Sequence, residues 1–384
     1  MAKNGMKVMD SDIHVMEPED LWDRYVEKKF HDQRPQWGPV KTEWGELDAW
    51  RFADRAFPAY MDDPRRQRFS KVRTEKAEER HIAEGRYVKV EDDLQGDNPK
   101  SMLMAMDIEG VDVSIVFRTL ASHFIAVDGL DPKLSAALCR AFNNWLGEFC
   151  AEDTARLKPT AILPLQDIQE SIIEARRAVN DLGAIALVLP NHPVNETPWY
   201  DASFDPLWSE AERLGVPIAF HGIQNAYQEH LGKRYIDNFA MAHACGHPVE
   251  QMLSLGCLLT GGVFERFTGL RAAFLEGSCG WVPWWLWVLD ERVNKFTDQT
   301  QFPLKRPPSE TFREHCWVAM EPDEAGVAET IAAGGDSNIV ISTDWPHDDS
   351  AYPHAVSTFL ALDALSNDSK RKILWDNCAS LYGL

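Results

Sequence analysis

Basic residues are scarce in this chain, and their scarcity excludes one large class of partners. The 384 residues include 39 Lys and Arg against 60 Asp and Glu, which gives a formal net charge of −21 at pH 7. Nucleic acids and anionic membrane surfaces are bound by clustered positive charge. We therefore expect neither of them as a partner.

Long apolar runs and paired cysteines are missing as well. No apolar stretch reaches the ~20 residues that a membrane-spanning helix needs. The amino-terminal MAKNGMKVMDSD lacks the apolar segment of a secretory signal. The seven cysteines are an odd number without a CxxC pair: Cys139, Cys150, Cys245, Cys257, Cys279, Cys316 and Cys378. This usage is typical of a reducing compartment and predicts a cytoplasmic protein.

Eight short apolar segments recur along the chain, and each ends in polar or small residues. They are KVMDSDIH (7–14), VDVSIVFR (111–118), TAILPLQD (160–167), AIALVLPN (184–191), VPIAFHG (216–222), LRAAFLEG (270–277), CWVAMEP (316–322) and NIVISTDW (338–345). Helix-like stretches lie between most of them, such as IQESIIEARRAVNDLG with its terminal glycine. Strands that alternate with helices predict a parallel sheet, and eight such units predict an α/β fold of the (β/α)8 or TIM barrel type.

One segment, residues 27–100, breaks this alternation. It is highly charged and shows no strand–helix rhythm. We interpret it as an insertion after the first strand, partly helical, that lies over the barrel mouth or forms a dimer contact. The whole chain, residues 1–384, is then a single domain, since barrels with insertions reach this length.

Ligand-type side chains occur at the carboxyl ends of several predicted strands, the face that carries catalytic groups in a parallel barrel. Asp10, Asp12 and His14 alternate in the first strand, so they should share one of its faces. The fifth strand ends in His221 and the eighth in Asp344. Carboxylates and imidazoles that converge in this way predict one divalent cation, held by Asp12, His14, His221 and Asp344.

Taken singly, each of these residues also fits a role without a metal. A lone histidine at a strand end is more often hydrogen-bonded in a structural role than a ligand, and Asp344 before WPH could cap a turn. The acidic DSDIH could be a structural cluster or a solvated edge, and for Asp10 we expect structural support or solvation. Glu17 could hold the turn after the first strand or line the pocket. The combination at three strand ends is what favours a metal site.

The remaining histidines and a group of tryptophans give weaker signals. His247 precedes a predicted helix and has either a structural role or a place in the pocket. A group of tryptophans should pack within a helix rather than line a ligand site, because apolar stripes usually pack: Trp281, Trp284, Trp285 and Trp287. Six histidines carry no motif and should be surface or structural residues: His31, His81, His123, His230, His315 and His354.

Five segments together resemble a known family. They are DSDIHVMEPEDLW, MDIEGVDVSIVF, FDPLWSEAERLGVPIAFHG, GGVFERFTGLRAAFLEGSCGWVPWWLWVLDE and NIVISTDWPHDDSAYP, and they span the chain except the insertion. The chain resembles the amidohydrolase superfamily, in the branch that contains the aminocarboxymuconate semialdehyde, resorcylate and carboxyvanillate decarboxylases. The family's first strand usually carries His-x-His or Glu-x-His. The second of these positions falls on His14 and the first on Asp12, a departure that keeps an oxygen ligand.

The resemblance also implies the remaining parts of a mononuclear metal site. The other ligands fall on His221 and Asp344, and His347 in DWPH looks like a group that supports the ligands or lines the pocket. The family's histidine on the sixth strand falls on Glu276, which is a second departure. Zinc is the expected metal, with manganese or iron as alternatives.

Three functions fit these residues. The first is metal-dependent, non-oxidative decarboxylation of an aromatic or unsaturated carboxylic acid. In it Asp344, Glu276 and His347 are the catalytic groups, and Arg118 and His247 bind the substrate. Glu276 could act as acid or base if burial or a neighbouring charge raised its pKa.

The second function is metal-dependent hydrolysis of an amide, ester or lactone with an aromatic group, in which Asp344 is the general base. The third is a barrel that binds a ligand without chemistry, and the intact ligand set argues against it. The expected partner is a small, aromatic substrate, which the 14 tryptophans could accommodate. A homodimer is expected because it is the commonest assembly.

Overall fold

Parallel strands form the centre of the structure, a computed structural model that describes residues 5–42, 45–53, 55–57, 96–222, 231, 235, 237–300, 302–347 and 350–384. The strands within these residues are β1 (Met9–His14), β2 (Gln36–Thr42), β3 (Gly45–Phe52), β4 (Arg55–Phe57), β5 (Val113–Phe117), β6 (Leu157–Pro159), β7 (Ala161–Ile162), β8 (Leu187–Pro190), β9 (Ile218–His221), β10 (Ala272–Leu275), β11 (Cys316–Met320) and β12 (Ile339–Ile341). Each of the eight predicted strands contains one of them.

Helices separate most of these strands. The α-helices are α1 (Leu21–Tyr25), α2 (Pro99–Glu109), α3 (Ala121–Ile125), α4 (Pro132–Cys150), α5 (Ile168–Leu182), α6 (Asp205–Leu214), α7 (Phe239–Ala244), α8 (Glu250–Thr260), α9 (Val263–Arg266), α10 (Val282–Lys295), α11 (Pro308–His315), α12 (Val327–Gly334), α13 (Ala355–Leu360), α14 (Asn367–Arg371) and α15 (Asn377–Tyr382). Two π-helical turns precede α8 and α15, at Cys245–Val249 and Lys372–Asp376. Short 3-10 turns lie at Lys28–Gln33, Val194–Glu196, Ala202–Phe204 and Thr297–Gln299.

Local chemistry explains where the helices between strands begin and end. The Asp167 side chain accepts hydrogen bonds from the backbone of Gln169 and Glu170, which satisfies the first amide groups of α5. Gly183 then ends α5 with a φ of 74°, the left-handed conformation that glycine adopts most easily. The terminal glycine in the sequence therefore predicts this boundary correctly.

The strand order is that of a (β/α)8 barrel. One parallel sheet has the order β1-β5-β6, and a second has the order β12-β11-β10-β9-β8-β7. At one junction between the two sheets, Thr160 alone separates β6 from β7. At the other junction, backbone hydrogen bonds join β1 to the segment after β12. His14 N–H donates to Trp345 O at 2.7 Å, and Asp344 N–H donates to Asp12 O at 3.2 Å. The predicted α/β barrel class is confirmed. Its parallel strands are divided between the two hydrogen-bonded sheets.

The segment after β1 contains β-structure that the sequence does not predict. β2 pairs with β3 and β3 with β4, all antiparallel, while Lys28–Gln33 is the helical part. Trp50 and Phe52 pack on Phe124 of α3, with ring centroids 5.7 and 5.5 Å apart. Because α3 follows the carboxyl end of β5, this small sheet lies beside that end of the barrel. Residues 58–95 lie outside the described residues, so a position of the whole 27–100 insertion over the mouth stays a prediction.

Apolar side chains fill the barrel below its carboxyl end. Every residue of β8, β9, β10 and β11 is buried. Phe220 of β9 stacks on Phe274 of β10, with ring centroids 5.3 Å apart. Phe220 also packs on Trp199, and His221, the next residue, points to the opposite face of the strand, where it meets Asp12 and His14. Among the described residues, none of the helices combines the length and hydropathy needed to cross a lipid bilayer.

Candidate metal centre

Four side chains from three strand ends meet in one buried cluster. The Nε2 atoms of His14 and His221 lie 3.2 Å apart. Asp12 faces both of them, with Oδ1 3.3 Å from His14 Nε2 and Oδ2 3.1 Å from His221 Nε2. Asp344 Oδ1 lies 3.3 Å from His14 Nε2. The structure therefore brings together the four residues that the sequence predicts as ligands.

The distances within this cluster fit one divalent cation. Two ligand atoms at about 2.1 Å from a metal stand about 3.0 Å apart at a right angle and about 3.4 Å apart at the tetrahedral angle. The nitrogen and oxygen atoms of Asp12, His14 and His221 are separated by 3.1 to 3.3 Å, and Asp344 joins this group through His14, at 3.3 Å. Asp12 Oδ1 and Asp344 Oδ1 are buried, and the polar groups beside them are imidazole nitrogens at 2.9 to 3.3 Å. A cation would compensate these buried oxygens, whose burial is otherwise unfavourable.

Backbone carbonyls orient both imidazoles toward the centre of the cluster. His14 Nδ1 donates to Arg118 O at 2.7 Å, and His221 Nδ1 donates to Gly222 O at 3.1 Å. A proton held at Nδ1 leaves the lone pair on Nε2, where the two rings face each other. This arrangement is typical of metal-binding histidines.

The charges of the cluster depend on one another. Burial raises the pKa of Asp12, but His221 and His14 outweigh it and hold that pKa below the ordinary value. Burial lowers the pKa of His14, but Asp12 and Asp344 outweigh it and raise that pKa well above the ordinary value. A cation and a proton therefore compete for the same atoms.

Two acidic residues of the site have unusual backbone conformations. Asp344 and Glu276 each have a φ of 55°, the left-handed region that residues other than glycine seldom adopt. Both stand just beyond a strand, where the chain turns away from the barrel. Such strain concentrates at functional sites, because the surrounding structure must hold it in place.

Glu276 bridges two histidines. Its Oε2 lies 3.2 Å from His221 Nδ1, and its Oε1 lies 2.9 Å from His247 Nε2. Burial raises the pKa of Glu276, but His247 and His221 outweigh it and hold that pKa well below the ordinary value. Glu276 therefore lacks the raised pKa that a proton donor requires. Its ionised carboxylate accepts hydrogen bonds. A Cβ at Gly222 would lie 2.7 Å from His247 Cδ2, so glycine allows this close approach.

His347 connects to the cluster through Asp344. Its Nδ1 lies 2.9 Å from Asp344 Oδ1, and its Nε2 lies 3.1 Å from Thr119 Oγ1. The His347 ring also stacks on the ring of His14, with centroids 4.1 Å apart. Burial lowers the pKa of His347, but Asp344 outweighs it and raises that pKa. An imidazole in this position can hold a proton next to Asp344.

Arg118 lies in the site, but its described contacts are to the protein itself. Its Nε donates to Ser122 Oγ, and its Nη2 donates to Gly222 O at 2.8 Å and to His221 O at 3.2 Å. These bonds fix the end of β9, which carries a proposed ligand. Pairing of Arg118 with a substrate carboxylate stays a prediction.

Two further acids support the site from behind. Glu17 accepts backbone hydrogen bonds from Thr119 at 3.1 Å, Leu120 at 2.9 Å and Ala121 at 2.9 Å, so of its two expected roles it holds a loop. Asp10 is fully buried and accepts hydrogen bonds from Thr343 N and Oγ1, which ties β1 to the end of β12. Burial raises the pKa of Asp10 to about 7. Of the two roles expected for Asp10, its position fits structural support, and its full burial excludes exposure to solvent.

His123 is a buried residue of this region that sequence reasoning missed. It belongs to α3, five residues beyond Arg118, and only 7% of it is exposed. Burial and then the charge of Arg118 lower the pKa of His123 to about 3. Its position in the loop after a strand was the only signal in the sequence. His81 and His230 lie outside the described residues.

The packing predicted for the tryptophans holds for half of them. Trp281 Nε1 donates to Gly277 O, and Trp285 Nε1 donates to Met252 O, both at 2.8 Å. Trp284 and Trp287 point outward from α10 and are 57% and 59% exposed. Neither pair lines the cluster.

Comparisons with known proteins agree with this geometry. A family model described as amidohydrolase matches residues 10–384. The gamma-resorcylate decarboxylase of Rhodococcus jostii is 28% identical over 261 residues, which cover 64% of this chain and 77% of that protein. The 2-amino-3-carboxymuconate-6-semialdehyde decarboxylase of Dictyostelium discoideum is 24% identical over 215 residues, 56% of this chain and 58% of that protein.

Solved structures show the same fold. An amidohydrolase from Mycobacterium avium subsp. paratuberculosis has a TM-score of 0.77 at 22% identity, and the match covers 98% of this chain and 99% of that one. A dihydroxybenzoic acid decarboxylase from Polaromonas sp. JS666, with bound manganese and the inhibitor 2-nitroresorcinol, has a TM-score of 0.64 at 18% identity. That match covers 100% of this chain and 98% of the other.

Proposed function

The chain belongs to the amidohydrolase family, and from this membership we propose that it is a metal-dependent enzyme that removes a carboxyl group from an aromatic acid without oxidation. The observation that carries the proposal is the buried cluster in which the spacing of Asp12, His14 and His221 fits one cation and Asp344 reaches His14. The relatives named above, which are decarboxylases of resorcylate and of an aminocarboxymuconate semialdehyde, support the reaction type.

Asp12, His14, His221 and Asp344 would hold a divalent cation, which would supply positive charge to stabilise an anionic substrate. Zinc is the metal expected from the sequence. The manganese in the related decarboxylase from Polaromonas supports manganese as the principal alternative. Imidazole suits zinc and carboxylate suits manganese, and the cluster offers two of each. Elemental analysis of protein purified without added metal decides between them.

The protein's own contribution is to place a proton beside the reacting carbon. Decarboxylation exchanges a carbon–carbon bond for a carbon–hydrogen bond, so a proton must be delivered. Asp344 Oδ1 stands 2.9 Å from His347 Nδ1, and Thr119 Oγ1 holds the other side of that ring at 3.1 Å. We assign Asp344 and His347 as the pair that carries this proton. Arg118 and His247 remain the candidates for contact with the substrate.

Glu276 has a different part in this proposal. As an ionised acceptor between His221 and His247, it holds two imidazoles in place rather than donating a proton. A carboxylate that faces the outer nitrogen of a metal-binding histidine raises the basicity of that ligand. Glu276 would therefore act on the reaction through the metal site.

Hydrolysis is the second candidate, and one observation favours it. Glu276 is a carboxylate where the resemblance places an imidazole, so the chemistry of this branch need not carry over unchanged. In hydrolysis Asp344 would accept a proton from an attacking water, and Glu276 would assist the leaving group. The product distinguishes the two reactions, because decarboxylation releases CO2 and hydrolysis releases two organic fragments.

The experiment is a substrate panel with a matched pair of variants. Protein loaded with Mn²⁺ or Zn²⁺ is incubated with hydroxybenzoates and with aryl amides and esters, and CO2 and organic products are measured. We expect CO2 from at least one hydroxybenzoate and no change in Asp363→Asn, which alters an exposed acid. Asp344→Asn should lose turnover but retain metal, because Asp12, His14 and His221 form a ligand group without Asp344. Cleavage of amides or esters without CO2, or full activity in Asp344→Asn, would overturn the assignment.

The assembly and the location of the protein belong to the same proposal. A small aromatic molecule is the expected partner, as the bound 2-nitroresorcinol in the Polaromonas structure supports. A homodimer and a cytoplasmic location stay predictions from the sequence. Light scattering after gel filtration tests the first, and cell fractionation tests the second.

A further inference from the structure

We propose that His123 is a substrate-binding residue that hydrogen-bonds a polar ring substituent at the barrel mouth. This inference rests on the proposed function, since it assumes an aromatic substrate. Nothing in the resemblance or in the sequence pattern assigns a role to this residue. The reasons lie in its place, its lack of a partner and the charges around it.

His123 stands at the barrel mouth because of its neighbours. Arg118 follows β5, and its guanidinium donates from Nε to Ser122 Oγ, one residue before His123. The same guanidinium donates from Nη2 to Gly222 O at 2.8 Å, beyond the end of β9. Arg118 thus connects α3 to a strand end that carries a proposed metal ligand. His123 extends from that short helix.

The imidazole of His123 is buried and forms no hydrogen bond within the described parts of the chain. The residue is 7% exposed, and its Nδ1 is fully covered without a partner. Leaving a buried polar group unpaired is unfavourable, and such groups in native proteins usually await a ligand or water. Because Nδ1 is covered, a bound substrate would reach the ring through Nε2.

Other histidines of the chain show what a structural role looks like here. His315 Nδ1 donates to Leu270 O at 2.9 Å, and His31 Nε2 donates to Val26 O at 2.9 Å. Each is tied to a backbone carbonyl that fixes its ring. His123 has no such bond, so a purely structural role leaves its polarity unexplained.

The charges that act on His123 indicate which part of a substrate it would meet. They are those of Arg118 and Glu276, and they do not include those of Asp12 or Asp344. Burial and Arg118 lower the pKa of His123 to about 3, so the ring is neutral at working pH. A neutral imidazole offers one donor and one acceptor, which suits a phenolic hydroxyl better than an anion.

The helix that carries His123 is held rigidly on its other side. Phe124 packs edge-on against Trp22 with ring centroids 5.4 Å apart, and against Trp50 with centroids 5.7 Å apart. These contacts fix α3 before any ligand arrives. A binding group on a fixed element loses little conformational freedom on binding, which favours selective recognition.

Two substitutions of His123 separate a binding role from a structural one. His123→Phe keeps the ring volume and removes both nitrogens, whereas His123→Gln keeps an amide near the position of Nε2. His354→Phe is the matched control, because His354 is exposed. The measurements are KM and kcat for 2,6-dihydroxybenzoate, the dissociation constant of 2-nitroresorcinol, manganese content, and Tm of the metal-loaded enzyme.

We expect His123→Phe to raise KM and the inhibitor dissociation constant about tenfold or more, with kcat, manganese content and Tm nearly unchanged. His123→Gln should recover much of the affinity, and His354→Phe should match the wild type. Unchanged binding in His123→Phe contradicts the inference. A joint fall of Tm, manganese content and kcat also contradicts it, because a structural residue would behave in that way. A wild type that neither binds 2-nitroresorcinol nor releases CO2 contradicts the proposed function first, and this inference with it.

Discussion

Asp10 and Asp12 are two residues apart in β1 and both fully buried, yet their surroundings differ in kind. Asp12 faces the imidazoles of His14 and His221, whereas Asp10 accepts hydrogen bonds from Thr343. We therefore predict that Asp12→Asn removes most Mn²⁺ binding and that Asp10→Asn leaves it intact. Asparagine keeps the shape of the side chain but lacks the negative charge that would offset the charge of the cation.

The coupling between metal binding and folding gives the expected change in Tm. A ligand at about 100 times its dissociation constant stabilises the folded state by about 2.7 kcal/mol. The chain has 384 residues, so an unfolding entropy of about 2.1 cal/mol/K per residue converts this to a rise in Tm of about 3 °C. Even groups behind a ligand weaken metal binding by about 10- to 100-fold when removed. A 100-fold loss leaves about 0.4 kcal/mol, or about 0.5 °C, at the same Mn²⁺ concentration.

The assay is thermal unfolding of chelator-treated protein with and without Mn²⁺. The metal-free form of each variant is the reference for its metal-loaded form. A general loss of stability in either variant therefore does not affect the comparison. The reasoning is refuted if Asp12→Asn retains the full rise in Tm. It is refuted equally if Asp10→Asn loses the rise as completely as Asp12→Asn does, because the two positions would then be equivalent.

Three further predictions concern the same site. Burial lowers the pKa of His14, but Asp12 and Asp344 outweigh it and raise that pKa well above its ordinary value. The metal-free protein therefore holds a proton that Mn²⁺ must displace, and its affinity should rise about tenfold per pH unit near neutrality; a flat profile by isothermal titration would contradict this. His347→Asn should retain Mn²⁺ and lower kcat about 10²- to 10⁴-fold in a CO2-release assay, and an unchanged kcat would exclude its proton role. Glu276→Gln should weaken Mn²⁺ binding about 10- to 100-fold, whereas an unchanged dissociation constant would show that Gly222 O alone orients His221.

The barrel and its ligand set could be predicted from the sequence because both follow from short-range patterns. Strands buried on two faces are mostly apolar, so a polar residue such as His221 directly after IAF marks the strand's end. Parallel strands bring all such ends to one face of the barrel. Residues as distant in sequence as Asp12 and Asp344 can therefore be placed together without any knowledge of their side-chain contacts.

The parts that escaped prediction depend on contacts between distant segments. The antiparallel sheet β2-β3-β4 lies in a charged segment whose few apolar side chains, such as Trp50 and Phe52, become buried only against Phe124. The ionisation of Glu276 depends on two histidines from other elements, and burial alone would have shifted its pKa the opposite way. Beyond its position after a strand, His123 has no sequence signal, because the absence of a described partner for its Nδ1 is seen only in the folded chain.

Each of the two departures from the family pattern is offset in the folded site by the residues around it. Asp12 keeps an oxygen where the first strand usually has histidine or glutamate, and it is short enough to face both His14 and His221. Glu276 removes an imidazole from the sixth strand, but His247, which precedes α8, places its Nε2 2.9 Å from Glu276 Oε1. An imidazole and a carboxylate thus still meet at that strand end, carried by a different element. A mechanism that needs an imidazole there can therefore use His247, and the departure at position 276 alone does not argue against decarboxylation.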